Sequence, residues 1–407
     1  MLTTAEALSL LHAGITALPA RVMPLAAAAG HVTAAPARAR LTVPGFANAA
    51  MDGYALHAAD TAGAAAGHPV HLPVAGLVAA GTPPRATADG RAGTARATGI
   101  LTGAPVPADC DAVVPLERVT LAGSGDVIAL TTPLHPGQNV RQAGEDFTAG
   151  QVVVPAGVLL EARHLMGLAA CGIDELWVAP RPRVAVLTTG SELEHAGAAP
   201  APGHIRDANG PYLAALLPAL GAEPVAQASA GDEPGLLGER LLDLAARADL
   251  VLTTGGVSAG RLDLLPDVVR AIGGEIVFHK VAIRPGKPLL HARLPGGALL
   301  FGLPGNPLAV AVGMRFFVTP ALRRLQGLPP EQPAVARVAE SLRGRGSLRF
   351  FAKARREVDA TGVLTVRLLP GQESFRIAPL LEANCWAVVP EDSGDLPAGA
   401  LLDTVPL

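Results

Sequence analysis

Val184-Ala185-Val186-Leu187-Thr188-Thr189-Gly190-Ser191-Glu192 is the stretch on which the fold turns. An unbroken apolar run that ends in a polar, glycine-containing loop is the pattern of a strand buried on both faces. Further strands are expected over residues 224–226, 250–253 and 275–281, and helices over about 209–220, 236–246 and 264–272. Strands alternating with amphipathic helices predict a parallel, doubly wound sheet. Ligands of such sheets sit outside the carboxyl ends of the strands.

Outward from this segment the texture changes twice. Thr3-Thr4-Ala5-Glu6 reads as a capping box ahead of a first helix, and residues 24–30 read as a second helix-like run. From 44 to about 144, short apolar runs at 70–74, 77–79, 112–114 and 127–130 alternate with Gly, Pro and Asp, which predicts a small β domain. Residues 144–182 revert to helix, with Leu159, Leu160, Ala162, Leu165, Leu168 and Ala169 at helical spacing. After Leu328-Pro329-Pro330 come short alternating runs at 334–338, 364–368 and 385–389, read as a separate small β domain.

Composition excludes several classes. With 32 Lys and Arg against 35 Asp and Glu, the net charge of −3 gives no reason to expect nucleic acid or an anionic membrane as partner. Cys110, Cys171 and Cys385 lie far apart, which fits a reducing compartment without a disulfide framework. The 11 histidines are scattered without an H-x-x-x-H pair, so no zinc site is expected. The start of the chain has no signal-peptide pattern, and Pro, Gly or Arg interrupt every apolar run within the ~18 residues of a membrane span. A cytoplasmic protein is expected.

Four strand-end loops carry the candidate chemistry. They are Thr189–Glu192, the glycine loop Thr254-Gly255-Gly256-Val257-Ser258-Ala259-Gly260, the cationic turn Arg284-Pro285-Gly286-Lys287-Pro288 after Lys280, and Gly302-Leu303-Pro304-Gly305-Asn306-Pro307. The glycines allow backbone amides to turn inward as an anion nest, or serve only close packing. Lys280, Arg284 and Lys287 around a stiffened turn suit a phosphate or oxyanion, or are solvated lysines and arginine. Asp207, Asp232 and Asp263 stand near strand ends, where carboxylates hold a cation such as Mg2+ or cap the helices that follow.

A fifth stretch lies outside the α/β segment: Pro44-Gly45-Phe46-Ala47-Asn48-Ala49-Ala50-Met51-Asp52-Gly53-Tyr54-Ala55-Leu56. Aromatics are 3% of the chain, yet Phe46 and Tyr54 flank Asp52-Gly53. Asp-Gly marks a sharp turn, whose carboxylate either bonds its own backbone or is offered to a cleft.

Taken in order, these blocks resemble the molybdopterin molybdenumtransferases, the MoeA and gephyrin E-domain family. Residues 44–56 are similar to its PGFxNSAMDGYAV block, and Ile100-Leu101-Thr102-Gly103-Ala104-Pro105-Val106-Pro107 to its MTGAPVP block. Gly137-Gln138-Asn139-Val140-Arg141 with Gly144-Glu145-Asp146 resembles GxNxRxxGED, and the four strand-end loops match further blocks in the same order. The resemblance spans nearly the whole chain. It implies insertion of molybdate into adenylylated molybdopterin with release of AMP, Mg2+ as cofactor, and a homodimer with sites between subunits. The implied architecture is multidomain: a helical or mixed linker and dimerisation domain (1–43 plus 144–180), an inserted small β domain (44–143), an α/β molybdopterin-binding domain (181–327) and a C-terminal barrel-like β domain (328–407). The candidate catalytic groups are Asp52, Thr102, Asp146 and Asp232. Glu192 and Asp263 are the metal ligands. Substrate binding falls to Thr189, Gly190, Gly255, Gly256, Ser258, Gly260, Lys280, Arg284, Lys287, Pro304, Asn306 and Ser374. A molybdopterin adenylyltransferase and recipient molybdoenzymes are the further partners implied.

The chain departs from the pattern at Ala47 and Ala49, where the family has Asp and Ser, and at Leu308-Ala309, where it has Val-Ser. An Arg that many members carry after an apolar pair is replaced by Lys353 or absent. Two rival readings are a molybdopterin adenylyltransferase, which shares a GGxS-type loop, and a non-catalytic clustering scaffold.

Overall fold

The strand expected at Val184 lies inside a six-stranded sheet in the computed structural model, which describes residues 1–83, 95–194, 200–231, 233–256 and 264–407. The sheet order is Glu223–Ala230, Arg183–Thr189, Leu250–Thr254, Leu299–Leu303, Leu290–Arg293, Glu275–His279. The first four strands are parallel. Leu290–Arg293 runs antiparallel to both its neighbours, Leu299–Leu303 and Glu275–His279, which corrects the all-parallel expectation at one edge. A parallel connection needs a crossover of about a dozen residues. Residues 294–298 leave no room for one; instead Gly296 at φ +88° and Gly297 at φ +96° close a hairpin.

Alternation along the central strand builds two cores. Val184 and Val186 face one layer with Leu213, Leu217, Val310 and Phe317. Ala185 and Leu187 face the other with Leu237, Leu241, Leu265 and Val268. The first helix, Thr4–Gly14, begins with the expected capping box: Glu6 N–H donates to Thr3 Oγ1 at 3.2 Å and Thr3 N–H to Glu6 Oε2 at 2.8 Å. Its buried Ala7 and Leu11 pack into the first of these two cores.

The flanking module holds more strand than expected. Arg21–Pro24, Glu175–Ala179 and Val32–Thr33 form a three-stranded sheet, and Ala37–Arg38 pairs with Val152–Val154. Helix is confined to Ala162–Ala170 and a 3-10 turn at Leu25–Ala27, so the helical expectations at 24–30 and 144–182 are corrected. Exposure alternates at the start of Glu175–Ala179, the period of a half-buried strand. Between Arg38 and Val152 the chain forms a second sheet, ordered Ala112–Pro115, Gly53–Leu56, Ala97–Ile100, Val70–Val78, Val127–Leu130, Thr120–Ala122. The two runs read at 70–74 and 77–79 are one strand, with a register shift between Val74 and Leu77.

The last sheet joins two parts of the chain. Ile283–Arg284, from the α/β segment, pairs in parallel with Arg349–Val358. The strands Ala334–Val338, Leu364–Leu368 and Cys385–Val389 form where the sequence places them. Arg349–Val358 pairs with both Leu364–Leu368 and Cys385–Val389, and Leu401–Pro406 links Cys385–Val389 to Ala334–Val338, closing a small barrel. No helix among the described residues is long and apolar enough to cross a membrane.

His291 makes the α/β core sensitive to acid. It is 2% exposed, stacks on Phe301 with ring centroids 4.4 Å apart, and its Nδ1–H donates to the Leu300 carbonyl at 3.0 Å. Burial, with Arg293 nearby, pushes its pKa down to about 4. The folded imidazole therefore stays neutral while the unfolded chain takes up a proton below its ordinary value near 6.5. The stability this neutrality protects is complete above pH 6.5 and is lost as pH falls toward 4. At pH 5 the loss is about 2 kcal/mol. Urea unfolding at pH 7 and pH 5 should show that slope, and His291→Phe should flatten it; an unchanged slope in His291→Phe would assign the acid sensitivity elsewhere.

Candidate functional site

The order of the parallel strands reverses direction around Arg183–Thr189: the next strand in sequence lies on one side and Leu250–Thr254 on the other. Such a switch point leaves a crevice at the strand ends. A cleft of about 800 Å³ opens there. Its walls are the loops after Thr189, Thr254 and Leu303, the turn 284–288, and residues 372–375 of the barrel.

The glycines have distinct reasons. Gly255 sits at φ +93°, and a Cβ there would lie 2.6 Å from the Thr189 carbonyl oxygen. Its N–H donates to the Leu303 carbonyl at 2.9 Å, so it is a close-packing glycine whose amide is already used. Thr189 Oγ1 donates to the Thr254 carbonyl at 3.0 Å and binds the same two loops together. At Gly190, φ +139°, a Cβ would lie 2.6 Å from Glu192 Oε2, so its absence lets the Glu192 carboxylate fold over the loop.

The cationic turn brings Arg284 and Lys287 to the cleft wall, both solvent-exposed. Lys280 is not with them. It ends its strand with a left-handed backbone at φ +70°, its N–H donates to the Leu289 carbonyl, and its own carbonyl accepts from Leu2. The Lys280 backbone thus anchors the base of the turn, and Lys280 is not among the residues that line the cleft. The 302–307 loop supplies Pro304 and Asn306. Asn306 sits at the start of the helix Pro307–Gly313, but its Nδ2 donates to Ser374 Oγ at 3.3 Å instead of capping that helix. One bond thus spans the α/β domain and the barrel.

The cleft therefore gathers Thr189, Gly190, Glu192, Gly255, Gly256, Arg284, Lys287, Pro304, Asn306 and Ser374. Ser258, Gly260, Asp232 and Asp263 lie outside the described residues. Asp207 takes the plainer of its two readings: its Oδ1 accepts the Asn209 and Gly210 amides at 3.0 and 2.9 Å at the start of a helix. Sequence reasoning missed Asn209, Gln372 and Phe375. Asn209 lines the cleft and donates to the Gly305 carbonyl at 2.8 Å, fixing the Pro-Gly-Asn-Pro loop. Phe375 is 67% exposed at the cleft mouth, an unusual placement in a chain so poor in aromatics. Its neighbour Ser374 was the available signal.

A second cluster forms in the inserted sheet. Asp52 and Thr102 meet although 50 residues apart: Thr102 N–H and Oγ1–H both donate to Asp52 Oδ1 at 2.7 Å. These two bonds, the backbone one first, hold the Asp52 carboxyl below its usual pKa. Asp52 is exposed and tied to another loop, so it is not bonding its own turn. Strand Asn48–Ala49 pairs with Val140–Arg141, and Ala49 exchanges backbone bonds with Gly103 and Ala104, so three of the family-like blocks share one surface. Asp146 lies next to it, exposed, with its N–H on the Val43 carbonyl. Among the described residues, no cleft-lining residue comes from residues 1–188. The chain thus carries two separate polar clusters.

Three family models cover most of this chain: the MoeA N-terminal region (domain I and II) at residues 2–172, a probable molybdopterin binding domain at 185–324, and the MoeA C-terminal region (domain IV) at 335–407. The chain is 38% identical over 389 residues to a protein of Mycobacterium tuberculosis strain H37Rv named molybdopterin molybdenumtransferase 2, covering 93% of each. It is 34% identical over 406 residues to the molybdopterin molybdenumtransferase of Synechococcus elongatus, covering 98% of each. The crystal structure of the molybdopterin biosynthesis MoeA protein of Pyrococcus horikoshii OT3 superposes with a TM-score of 0.84 at 28% identity, covering 100% of both chains.

Proposed function

This chain belongs to the molybdopterin molybdenumtransferase (MoeA) family, and on that premise we propose that its cleft binds adenylylated molybdopterin and molybdate and releases AMP as molybdenum is inserted. The chain acts in molybdenum cofactor biosynthesis as a transferase. The observation that carries the finer reading is the convergence of Arg284, Lys287, Asn306 and Ser374 on one switch-point cleft. A phosphoanhydride and an oxyanion both need cations and neutral donors held in place before they arrive.

Each group has a task in this reading. Arg284 forks onto an anionic oxygen while Lys287 acts as a mobile point charge. Asn306 and Ser374, already bonded to each other, orient the anion. Among the described residues no three His, Cys, Asp or Glu side chains form a ready-made metal cage. Mg2+ keeps several waters and takes one or two carboxylates together with substrate phosphates, and Glu192 fits that mode, because the other cleft carboxylate, Glu373, pairs with Arg376 at 3.1 Å. Glu192 would hold the ion, with Asp263 as the second ligand. When bound, Mg2+ would neutralise phosphate charge.

Asp52 and Thr102 enter from a second copy of the chain. That accounts for a paired carboxylate and hydroxyl standing apart from the cleft of their own chain. A homodimer in the cytoplasm completes the reading, with the adenylyltransferase upstream and the recipient molybdoenzymes downstream.

Molybdate-dependent release of AMP from adenylylated molybdopterin tests the proposal. Adenylyl transfer from ATP to molybdopterin, with no molybdate-dependent release, would replace it with the adenylyltransferase reading. Lys287→Ala should weaken binding of the adenylylated substrate about tenfold, the scale of one charged hydrogen bond. It should also make binding less sensitive to salt. Calorimetry giving unchanged affinity and unchanged salt slope would reduce Lys287 to a solvated lysine.

A further inference from the structure

Lys353 is the one lysine in the chain's buried core, at 1% exposure, and it does not line the cleft. Its ammonium donates to three backbone carbonyls: Gly371 at 2.7 Å, Arg376 at 3.0 Å and Glu373 at 3.5 Å. Those bonds use all three ammonium donors. The Glu373 carboxylate favours its charge from a distance but is itself paired with Arg376 at 3.1 Å, and Arg376 opposes that charge. Burial pulls its pKa down. An ion buried on neutral carbonyls is poor value for stability alone, because a well-packed apolar side chain avoids the desolvation.

What the three bonds fix is the loop 371–376. Gln372 locks the same loop from the other side: its Oε1 accepts Lys353 N–H at 3.0 Å, and its Nε2 donates to the Lys353 and Leu369 carbonyls at 2.8 and 2.7 Å. Across a planar trans peptide the carbonyl and the following N–H point opposite ways. With the Glu373 carbonyl drawn to Lys353, the Ser374 N–H is turned away from it. Gln372, Glu373, Ser374 and Phe375 wall the cleft from the barrel side together with Leu348, and Ser374 Oγ meets Asn306 Nδ2.

We infer that Lys353 is a positioning residue for the oxyanion subsite: it gathers the carbonyl edge of loop 371–376 beneath the barrel and so sets Ser374 towards the cleft. The inference rests on the reading of that cleft as an anion site. It differs from direct contact, which a cation at this position would otherwise suggest, because the ammonium has no donor left for an anion.

The test is a double-mutant cycle on the full-length protein with molybdate as the probe, read by calorimetry, alongside amide exchange of residues 371–376. Lys353→Met should raise the molybdate dissociation constant about tenfold, and Ser374→Ala by a similar factor. The double variant should be no worse than the weaker single one, because both changes remove one arrangement. Exchange in the loop should rise tenfold or more in Lys353→Met, with the salt slope unchanged. Additive losses, or a shallower salt slope in Lys353→Met, would mean direct contact and overturn the inference. Unchanged loop exchange would overturn it whatever the ligand. Wild-type protein that binds no molybdate would instead refute the cleft reading, while the exchange arm still decides whether Lys353 holds the loop. If Lys353→Met fails to fold, Lys353→Gln, which keeps a donor, carries the same cycle.

Discussion

Asp52→Asn is expected to cut turnover by ~100-fold or more while leaving the melting temperature near that of wild type. The asparagine keeps an oxygen to accept both Thr102 donors at the 2.7 Å positions, so the link between the two loops survives. What disappears is the charge. Thr102 already lowers the Asp52 pKa, so at neutral pH the group is a carboxylate and has no proton to give. On the proposed reading its part would be that of an acceptor that holds a water or a metal-bound group, for which the amide is a poor substitute. Ala47 and Ala49 beside it offer no side-chain hydrogen bonds, which leaves most of the polar chemistry of that loop to Asp52. A large fall in melting temperature with turnover retained would show instead that Asp52 is only a loop clasp.

Mixing inactive Asp52→Ala chains with inactive Glu192→Gln chains should restore about a quarter to a half of wild-type activity. The estimate follows from a symmetric dimer in which each cleft borrows Asp52 from the other copy. A hybrid dimer then has one site with both defects and one with neither. Random exchange makes half the dimers hybrid, and complete pairing makes all of them so. If each site used the Asp52 of its own chain, no mixture would recover, and the two polar clusters would need another explanation for their separation.

The parallel strands were legible because Val184-Ala185-Val186-Leu187 has no polar residue, and a strand buried on both faces needs none. The antiparallel edge was not, since periodicity reports burial and not direction. The clue was the short Pro295-Gly296-Gly297 connection, which only connection length interprets. The helical reading of 144–182 failed at the other end of the same problem, where spacing that was right for Ala162–Ala170 was extended over strand residues on both sides. For the site, residue type and order pointed to Arg284, Lys287, Asn306 and Ser374, which the fold brings to one cleft. They could not show that Lys280 falls outside the residues lining the cleft, which begin at Ile283 in that part of the chain. Nor could they separate the two uses of glycine at Gly255, where the amide is spent on the Leu303 carbonyl. Lys353 shows the limit most clearly: a lysine in sequence suggests a surface or an anion, and only the fold reveals three carbonyls around it.

The strand Ile283–Arg284 has a bearing on how the molecule could be cut or recombined. The Leu328-Pro329-Pro330 stretch looks like a natural seam for removing or exchanging the C-terminal part. Severing there would strip the backbone partners from a strand that belongs to the other fragment. The remaining piece would carry an open edge next to its own cationic turn, an invitation to pair with a neighbouring molecule. The seam in the chain and the seam in the architecture are therefore different places, and a chimera respecting the second must carry residues 283–284 with the barrel they complete.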